Sequence, residues 1–213
     1  MNSITHIGVL LSGLAGTAEL SALAFGGALV LGTLLAIFRV SPIPPLAAAA
    51  TVYVAVFRNV PLLVLLVLFV FGLPEIGLLL PLFASAALCM ALYAAALVCE
   101  VVRSGIRTVP LGQAEAARAL GLTFGQSLRH VILPQAMRSM VPPLGNILIA
   151  VVLSTSLAAA VGVAELTNGV QTLSLRYAEG LAAFGIAAVF YVTITLGSSA
   201  ALSRIERRVR IRR

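Results

Sequence analysis

Five long apolar runs dominate this chain and decide the solvent in which it can fold. They extend approximately over residues 14–38, 47–71, 80–102, 141–163 and 181–202. Each is long enough for the roughly 20 residues of helix that cross a bilayer. With 61% of its 213 residues hydrophobic and a mean hydropathy of +1.10, the chain carries more apolar surface than a soluble domain of this size can bury. We expect an all-α integral membrane protein with five transmembrane helices, forming a single domain over residues 1–213.

The placement of the arginines predicts the orientation. The chain has no lysine, and its net charge of +7 comes from arginines at the ends of the apolar runs. If the N-terminus lies outside, Arg39, the arginines of the loop at about 103–140 and those of the tail at 203–213 all lie inside. Only Arg176 is then clearly outside. The positive-inside rule therefore predicts that the N-terminus lies outside the membrane and the C-terminus inside. This placement of the arginines also indicates that the chain is embedded in lipid and does not bind nucleic acid.

Side chains for catalysis, metal binding or nucleotide binding are scarce. The chain contains no aspartate, and its two histidines, His6 and His130, are far apart. We expect Cys89 and Cys99 to be buried thiols, since ten residues of helix place them on different faces. A phosphate-binding loop of the Gly-x-x-x-x-Gly-Lys type needs a lysine, which this chain lacks. The sequence therefore predicts no catalytic, metal or cofactor site, so this chain is not expected to be an enzyme.

The second apolar run is interrupted by Arg58-Asn59-Val60-Pro61. Proline breaks the helical hydrogen-bond ladder, and an arginine at membrane depth is costly unless it faces a cavity or a partner. Arg58 and Asn59 could therefore line the path of a polar solute. Alternatively, Arg58 lies at a helix end and extends toward water while Pro61 only kinks the helix. Asn146, Thr155 and Ser156, in the fourth run, could likewise line the path or form hydrogen bonds between helices.

The loop at about 103–140 is longer than a simple connection between two helices needs to be. Its alanine-rich stretch at 113–120 predicts a short helix, which Gly121 would end in a left-handed conformation. Thr123 could cap a second helix, and we expect Pro134 to end that helix. Such a short helix is marginal alone, so it would lie either in a groove of a soluble partner or on the membrane surface.

Several motifs of this loop and its surroundings resemble one family. Glu115-Ala116-Ala117, Gly121, Val131 and Leu133-Pro134 resemble the EAA motif of permease subunits of bacterial ABC importers, with Val131 where the family usually has isoleucine. Five further segments are similar to those of the polar amino acid permeases, namely 57–64, 100–106, 109–113, 155–157 and 162–167. The residues at 100–106 are most similar to those of glutamate-type permeases. The family often has tyrosine where this chain has Leu97, and lysine near Ser154.

The resemblance implies the fold of a type I ABC importer permease in the bacterial cytoplasmic membrane. It also implies a division of labour, in which this chain pairs with a second copy or a homologous permease. Two ATPase subunits, which bind the ATP and Mg, would dock on the residues around the EAA motif, namely Glu115, Ala116, Ala117, Gly121, Leu133 and Pro134. An extracellular or periplasmic binding protein would deliver the substrate.

Glutamate is the substrate that the resemblance favours. A permease for a basic amino acid or an osmoprotectant stays open, because no residue of the sequence alone selects among polar solutes. A secondary transporter is disfavoured, since such proteins usually show repeated halves with a broken helix in each. Here one run is broken and no repeat is visible.

Overall fold

The computed structural model describes residues 3–177 and 180–209, and the regular elements within them are all helices. In chain order the helices are α1 (Ser3–Val40), α2 (Pro44–Asn59), α3 (Leu62–Glu75), α4 (Leu82–Arg107), α5 (Leu111–Ala119), α6 (Phe124–Val161), α7 (Leu166–Tyr177) and α8 (Gly180–Val209). In the described part of the chain, α1, α4, α6 and α8 are each long and apolar enough to cross a membrane. The bent pair α2 and α3 provides a fifth crossing if it counts as one span.

The core forms where α1 packs along α4. Small side chains line this contact on both helices, including Ala24, Ala28 and Ala36 of α1 and the run 94–96 of α4, all fully buried. Small residues let two membrane helices approach closely, so that dispersion contacts replace the hydrophobic effect, which is weak between helices in lipid. Gly32 shows how close the approach is. A Cβ atom at this position would lie 2.6 Å from the Cβ of Val98 and 2.7 Å from the carbonyl oxygen of Ala95.

The second apolar run is not one straight span. The axes of α2 and α3 differ by 103°, and the break falls at Val60 and Pro61. Val60 is extended, with φ −95° and ψ 130°, as expected for a residue that precedes proline. The predicted interruption at Arg58-Asn59-Val60-Pro61 is therefore confirmed, and it is a sharp bend.

The fourth span begins earlier than predicted, and the expectation that Pro134 ends a helix is wrong. A single helical stretch, α6, continues from Phe124 to Val161 through Pro134 and two further prolines. A π turn at Leu128–Ile132 ends two residues before Pro134. A proline ring collides with the carbonyl group of the residue four positions earlier, here His130, which lies within this wider turn. The local widening of the helix explains how the chain continues past the proline.

A helix that the sequence did not predict, α7, fills the connection between the last two spans. Its residues Leu166, Val170 and Leu173 form a second apolar cluster with Leu10 of α1 and with Ala183 and Ala187 of α8. Glu165 caps the first turn of α7 and is 1% exposed. This cluster attaches α7 to both α1 and α8.

Candidate functional site

The short helix α5 is defined by local signals at both of its ends. Pro110 precedes its first residue in an extended conformation. At the other end, the amide of Gly121 donates to the carbonyl of Arg118 at 2.9 Å, and the amide of Leu122 donates to that of Ala117 at 3.1 Å. These two bonds form a Schellman motif, which requires a left-handed residue at Gly121. Gly121 has φ +77°, so the predicted left-handed conformation at this residue is confirmed.

The next helix, α6, begins with the predicted cap. The amide of Gln126 donates to the hydroxyl of Thr123 at 3.3 Å, and the amide of Thr123 donates to the side-chain oxygen of Gln126 at 2.9 Å. This reciprocal capping box fixes the direction in which α6 leaves the corner. Together, the Schellman motif and the capping box make the connection from α5 to α6 a short corner with defined geometry.

One face of α5 lies against the rest of the protein. Ala117 is 3% exposed, so its side chain packs inward. The side-chain amide of Gln135 on α6 donates to the side-chain oxygen of Gln113 on α5 at 3.3 Å. These contacts attach α5 to the first turns of α6, so a displacement of α5 would be transmitted to a membrane-spanning helix.

The opposite face of α5 is open. Glu115 and Ala116 are exposed, and Leu111, Leu120 and Phe124 are each at least 80% exposed around the helix ends. Leu133 and Pro134 lie on α6 beyond the π turn, where Leu133 is exposed and Pro134 is half-buried. The structure therefore gathers the predicted coupling residues into one region but gives them different environments. An apolar rim around an outward carboxylate is a surface suited to a protein partner.

A cavity of about 80 Å³ lies between α3, α4 and α6. This volume has room for a few water molecules or a small polar group. The lining is mostly apolar and comprises Leu62, Met90, Tyr93, Leu97, Ala150, Val151 and Ser154. The polar groups at this cavity are the hydroxyls of Tyr93 and Ser154, neither of which was among the residues that the sequence predicted for the pathway.

The predicted pathway residues of α6 lie in different places. Asn146 is exposed one helical turn before Ala150, in the same row as Ala150 and Ser154. Thr155 is fully buried and donates its hydroxyl to the carbonyl of Val152 at 2.8 Å. Ser156 donates to the carbonyl of Leu153 at 2.8 Å. Of these three residues, Asn146 shares the helix face that lines the cavity.

At the break between α2 and α3, Arg58 joins a cluster of charges around Glu100. One carboxylate oxygen of Glu100 lies 2.5 Å from Arg39 and 3.4 Å from Arg58, and the other lies 2.8 Å from Arg103. Asn59 instead donates its side-chain amide to the carbonyl of Ala55 at 2.7 Å, within its own helix. Glu100 and Arg103 lie three residues apart on one turn of α4, whereas Arg39 reaches Glu100 from α1 and was considered in the sequence only for orientation. We call Glu100 and its three partners, Arg39, Arg58 and Arg103, the Glu100 cluster.

The chain has clear similarities to known proteins. The family described as "Binding-protein-dependent transport system inner membrane component" matches residues 28–211. A glutamate transport system permease protein, GluC of Corynebacterium glutamicum, is 38% identical over 200 residues, covering 88% of each chain. A probable glutamine ABC transporter permease protein, GlnM of Bacillus subtilis, is 35% identical over 189 residues, covering 89% of this chain and 88% of the relative. A crystal structure of an amino acid ABC transporter with histidines superposes with a TM-score of 0.91 at 34% identity, covering 96% of both chains.

Proposed function

This chain belongs to the family of inner membrane components of binding-protein-dependent transport systems, and we propose that it imports glutamate. It is the permease subunit of an ABC importer for amino acids, a multi-pass membrane protein with the type I permease fold, and a transport component rather than an enzyme. Glutamate is the finer step of the proposal. GluC is named for glutamate and GlnM for glutamine, two substrates of nearly the same size that differ in charge.

The observation that carries the proposed mechanism is the exposed face of α5. An ATPase subunit would contact Glu115, Ala116 and the apolar rim, while Ala117 holds the helix from the protein side. The carboxylate of Glu115 would accept hydrogen bonds from the ATPase. ATP and Mg would bind in the ATPase, so this chain contributes no nucleotide ligand and only receives the motion.

The corner at Gly121 would transmit that motion. Because the Schellman motif and the capping box fix the angle between α5 and α6, a rigid-body shift of α5 would tilt the start of α6. The region around Leu133 and Pro134 follows on the same helix, and the cavity residues Ala150 and Ser154 lie further along it. A movement that begins at the ATPase would thereby reach the cavity wall.

The transporter would assemble from several chains. A second copy of this permease or a homologous one would complete the translocation path, and a binding protein outside the cytoplasmic membrane would deliver the amino acid. The polar groups that we propose for the path are Arg58, Asn59, Asn146, Thr155 and Ser156. Asn146 shares the cavity face of α6, and Arg58 is the natural partner for a substrate carboxylate, because a guanidinium can bind a carboxylate with two parallel hydrogen bonds.

The experiment is uptake into proteoliposomes that contain the permease, its ATPase and the binding protein. Radiolabelled glutamate, glutamine, arginine and glycine betaine are supplied in turn, with ATP or without it inside the vesicles. We expect glutamate uptake that requires ATP. Preferred uptake of arginine or glycine betaine would overturn the substrate, and uptake driven by an ion gradient without ATP would overturn the transport mechanism.

A further inference from the structure

Arginine is concentrated just beyond the last apolar run. Residues 204–213 contain six arginines and one glutamate, Glu206, and no other charged residue. The orientation predicted from the arginines places this segment on the cytoplasmic side of the membrane. A guanidinium binds a phosphate group with two parallel hydrogen bonds, so a run of arginines at a membrane surface is suited to the headgroups of anionic phospholipids.

The helix that leads into this segment, α8, lies mostly against lipid. Only 11% of its most apolar stretch is buried inside the protein, compared with 56% for α4. Val189, Val192 and Leu196, which lie along it, are each more than 50% exposed. Because α8 continues as one helix from this stretch to Val209, its first arginines emerge where the surrounding lipid has its headgroups.

A contact with α6 brings a further arginine to the same level. Leu202 packs so closely against Gly145 of α6 that a Cβ atom at this glycine would overlap the Leu202 side chain. Arg138 lies seven residues before Gly145, about 10 Å along the axis and in the same row of α6. Consecutive spans run in opposite directions, so Arg138 comes level with the residues that follow Leu202. We call Arg138, Arg204 and Arg207 the basic patch.

The guanidinium groups of the basic patch are open to the surroundings. All three arginines are exposed, and none forms an ion pair with another residue that the structure describes. Arg207 donates its Nε to the carbonyl of Ser203 at 3.2 Å, which leaves its two terminal nitrogens for another acceptor. The arginines of the Glu100 cluster, by contrast, all face a carboxylate within the protein. An anion outside the described residues is therefore the natural partner of the basic patch.

Large apolar side chains lie beside these arginines. Met137 precedes Arg138 and is 63% exposed, and Ile205 follows Arg204 and is 51% exposed. Exposed apolar side chains next to basic ones are typical of surfaces at the boundary between headgroups and acyl chains, where both kinds of side chain find favourable surroundings. An acidic surface of the ATPase would compensate the charges alone, whereas phospholipid also covers the apolar side chains.

We propose that the basic patch binds the phosphate groups of anionic phospholipids and thereby holds the cytoplasmic ends of α6 and α8 at the membrane surface. Each arginine near an anionic membrane strengthens the attraction about fivefold, so three arginines on two helices produce a marked preference over neutral lipid. The attachment at Arg138 would fix one point of α6, while the first turns of this helix follow α5. Lipid binding of this kind is independent of which amino acid the permease carries.

The test uses the absence of tryptophan from this chain. Ile205→Trp introduces one fluorophore beside the basic patch in the full chain, which is reconstituted into phosphatidylcholine vesicles. Brominated phosphatidylglycerol or brominated phosphatidylcholine, which quenches tryptophan on contact, is then titrated in. We expect phosphatidylglycerol to quench at a mole fraction about tenfold lower or less. In the same background, neutralising the whole patch with Arg138→Gln, Arg204→Gln and Arg207→Gln should reduce this preference about fivefold or more.

The matched control neutralises three exposed arginines outside the patch, Arg107, Arg118 and Arg129, and should keep the preference. Protection of the buried thiols of Cys89 and Cys99 from labelling reports that each variant is folded. If the triple variant of the patch does not fold, Arg204→Gln alone provides the test, because it changes one exposed side chain and should still lower the preference about twofold or more.

Four results would overturn the proposal. Two of them are equal quenching by the two lipids in the protein that carries only Ile205→Trp, and an unchanged preference after the patch is neutralised. The third is reversal of the quenching by inorganic phosphate at constant ionic strength, which would indicate a site for free anions. The fourth is loss of ATPase co-purification in the patch variant with an unchanged lipid preference, which would indicate a protein contact.

Discussion

Replacing Glu165 by alanine should loosen the attachment of α7 to the two helices beside it. The carboxylate accepts hydrogen bonds from the amide of Asn168 at 2.7 Å, the hydroxyl of Tyr191 at 2.9 Å and that of Thr17 at 3.4 Å. Thr17 belongs to α1 and Tyr191 to α8, so one side chain joins three helices. The hydroxyl of Thr17 also accepts from the amide of Leu166 at 3.1 Å, which adds a second polar link to the start of α7.

The magnitude follows from the two short bonds. A hydrogen bond to a charged group contributes about 1.5–3 kcal/mol, and the 3.4 Å contact with Thr17 adds little. Tyr191 keeps Thr167 as a partner at 3.0 Å, whereas the amide of Asn168 loses the bond to the Glu165 side chain. We therefore expect Glu165→Ala to lower the free energy of unfolding by about 3–5 kcal/mol. Glu165→Gln retains an acceptor oxygen and should cost about 1–2 kcal/mol.

The two cysteines provide the assay. Cys89 and Cys99 are free thiols, both 0% exposed, and the chain has no other cysteine. A fluorogenic maleimide therefore labels the protein only when the core opens, and labelling across an SDS titration in mixed micelles gives the free energy of unfolding. Glu75→Ala is the control at an exposed glutamate and should stay within about 0.5 kcal/mol of the native protein.

Two results would refute this reasoning. One is a Glu165→Ala protein as stable as the control, and the other is a Glu165→Gln protein as unstable as Glu165→Ala. A double-mutant cycle with Tyr191→Phe sharpens the test, because a direct bond predicts a coupling energy of about 1–2 kcal/mol.

Two further substitutions test the helix contacts. Gly32→Leu should lower the free energy of unfolding by more than the about 1–3 kcal/mol that overpacking a core typically costs, since a Cβ there meets the backbone of α4. The thiol assay measures this loss. The control is Gly26→Leu, which should be nearly neutral because a Cβ at Gly26 would have no atom within 4 Å. Thr123→Ala should destabilise the first turn of α6 by about 1 kcal/mol through loss of the cap. Hydrogen exchange of the Gln126 amide should then be faster, and unchanged exchange would contradict the capping box.

Local signals explain what the sequence predicted well. Gly121 and Thr123 act on neighbouring backbone groups, so residue type alone indicates their conformations. The apolar runs likewise predict α1, α4 and α8, because hydrocarbon requires every backbone group to be paired within a helix.

Features that depend on long-range packing were missed. Pro61 indicates a break but not the 103° between α2 and α3, which packing decides. Pro134 lies within a continuous helix because a π turn precedes it, and no residue type specifies such a turn. Arg39 reaches Glu100 across 61 positions, and Glu165 is buried by Thr17 and Tyr191, more than 20 positions away in each direction. Spacing within one element cannot report these contacts.

The claim that α5 is the docking site for the ATPase is central to the account. Glu115→Lys reverses the charge on the open face, and Gly121→Asp places a side chain at φ +77°, where left-handed backbone disfavours it. Both changes lie outside the buried core, so the thiol assay should show native labelling of the cysteines.

The most direct measurement is co-purification of the ATPase with a tagged permease from solubilised membranes. The native protein and the control Glu75→Lys, a charge reversal at an exposed residue of α3, should retain the ATPase. The protein with both Glu115→Lys and Gly121→Asp should fold, insert and lose it. Equal recovery of the ATPase with the native and doubly substituted proteins would contradict docking on α5.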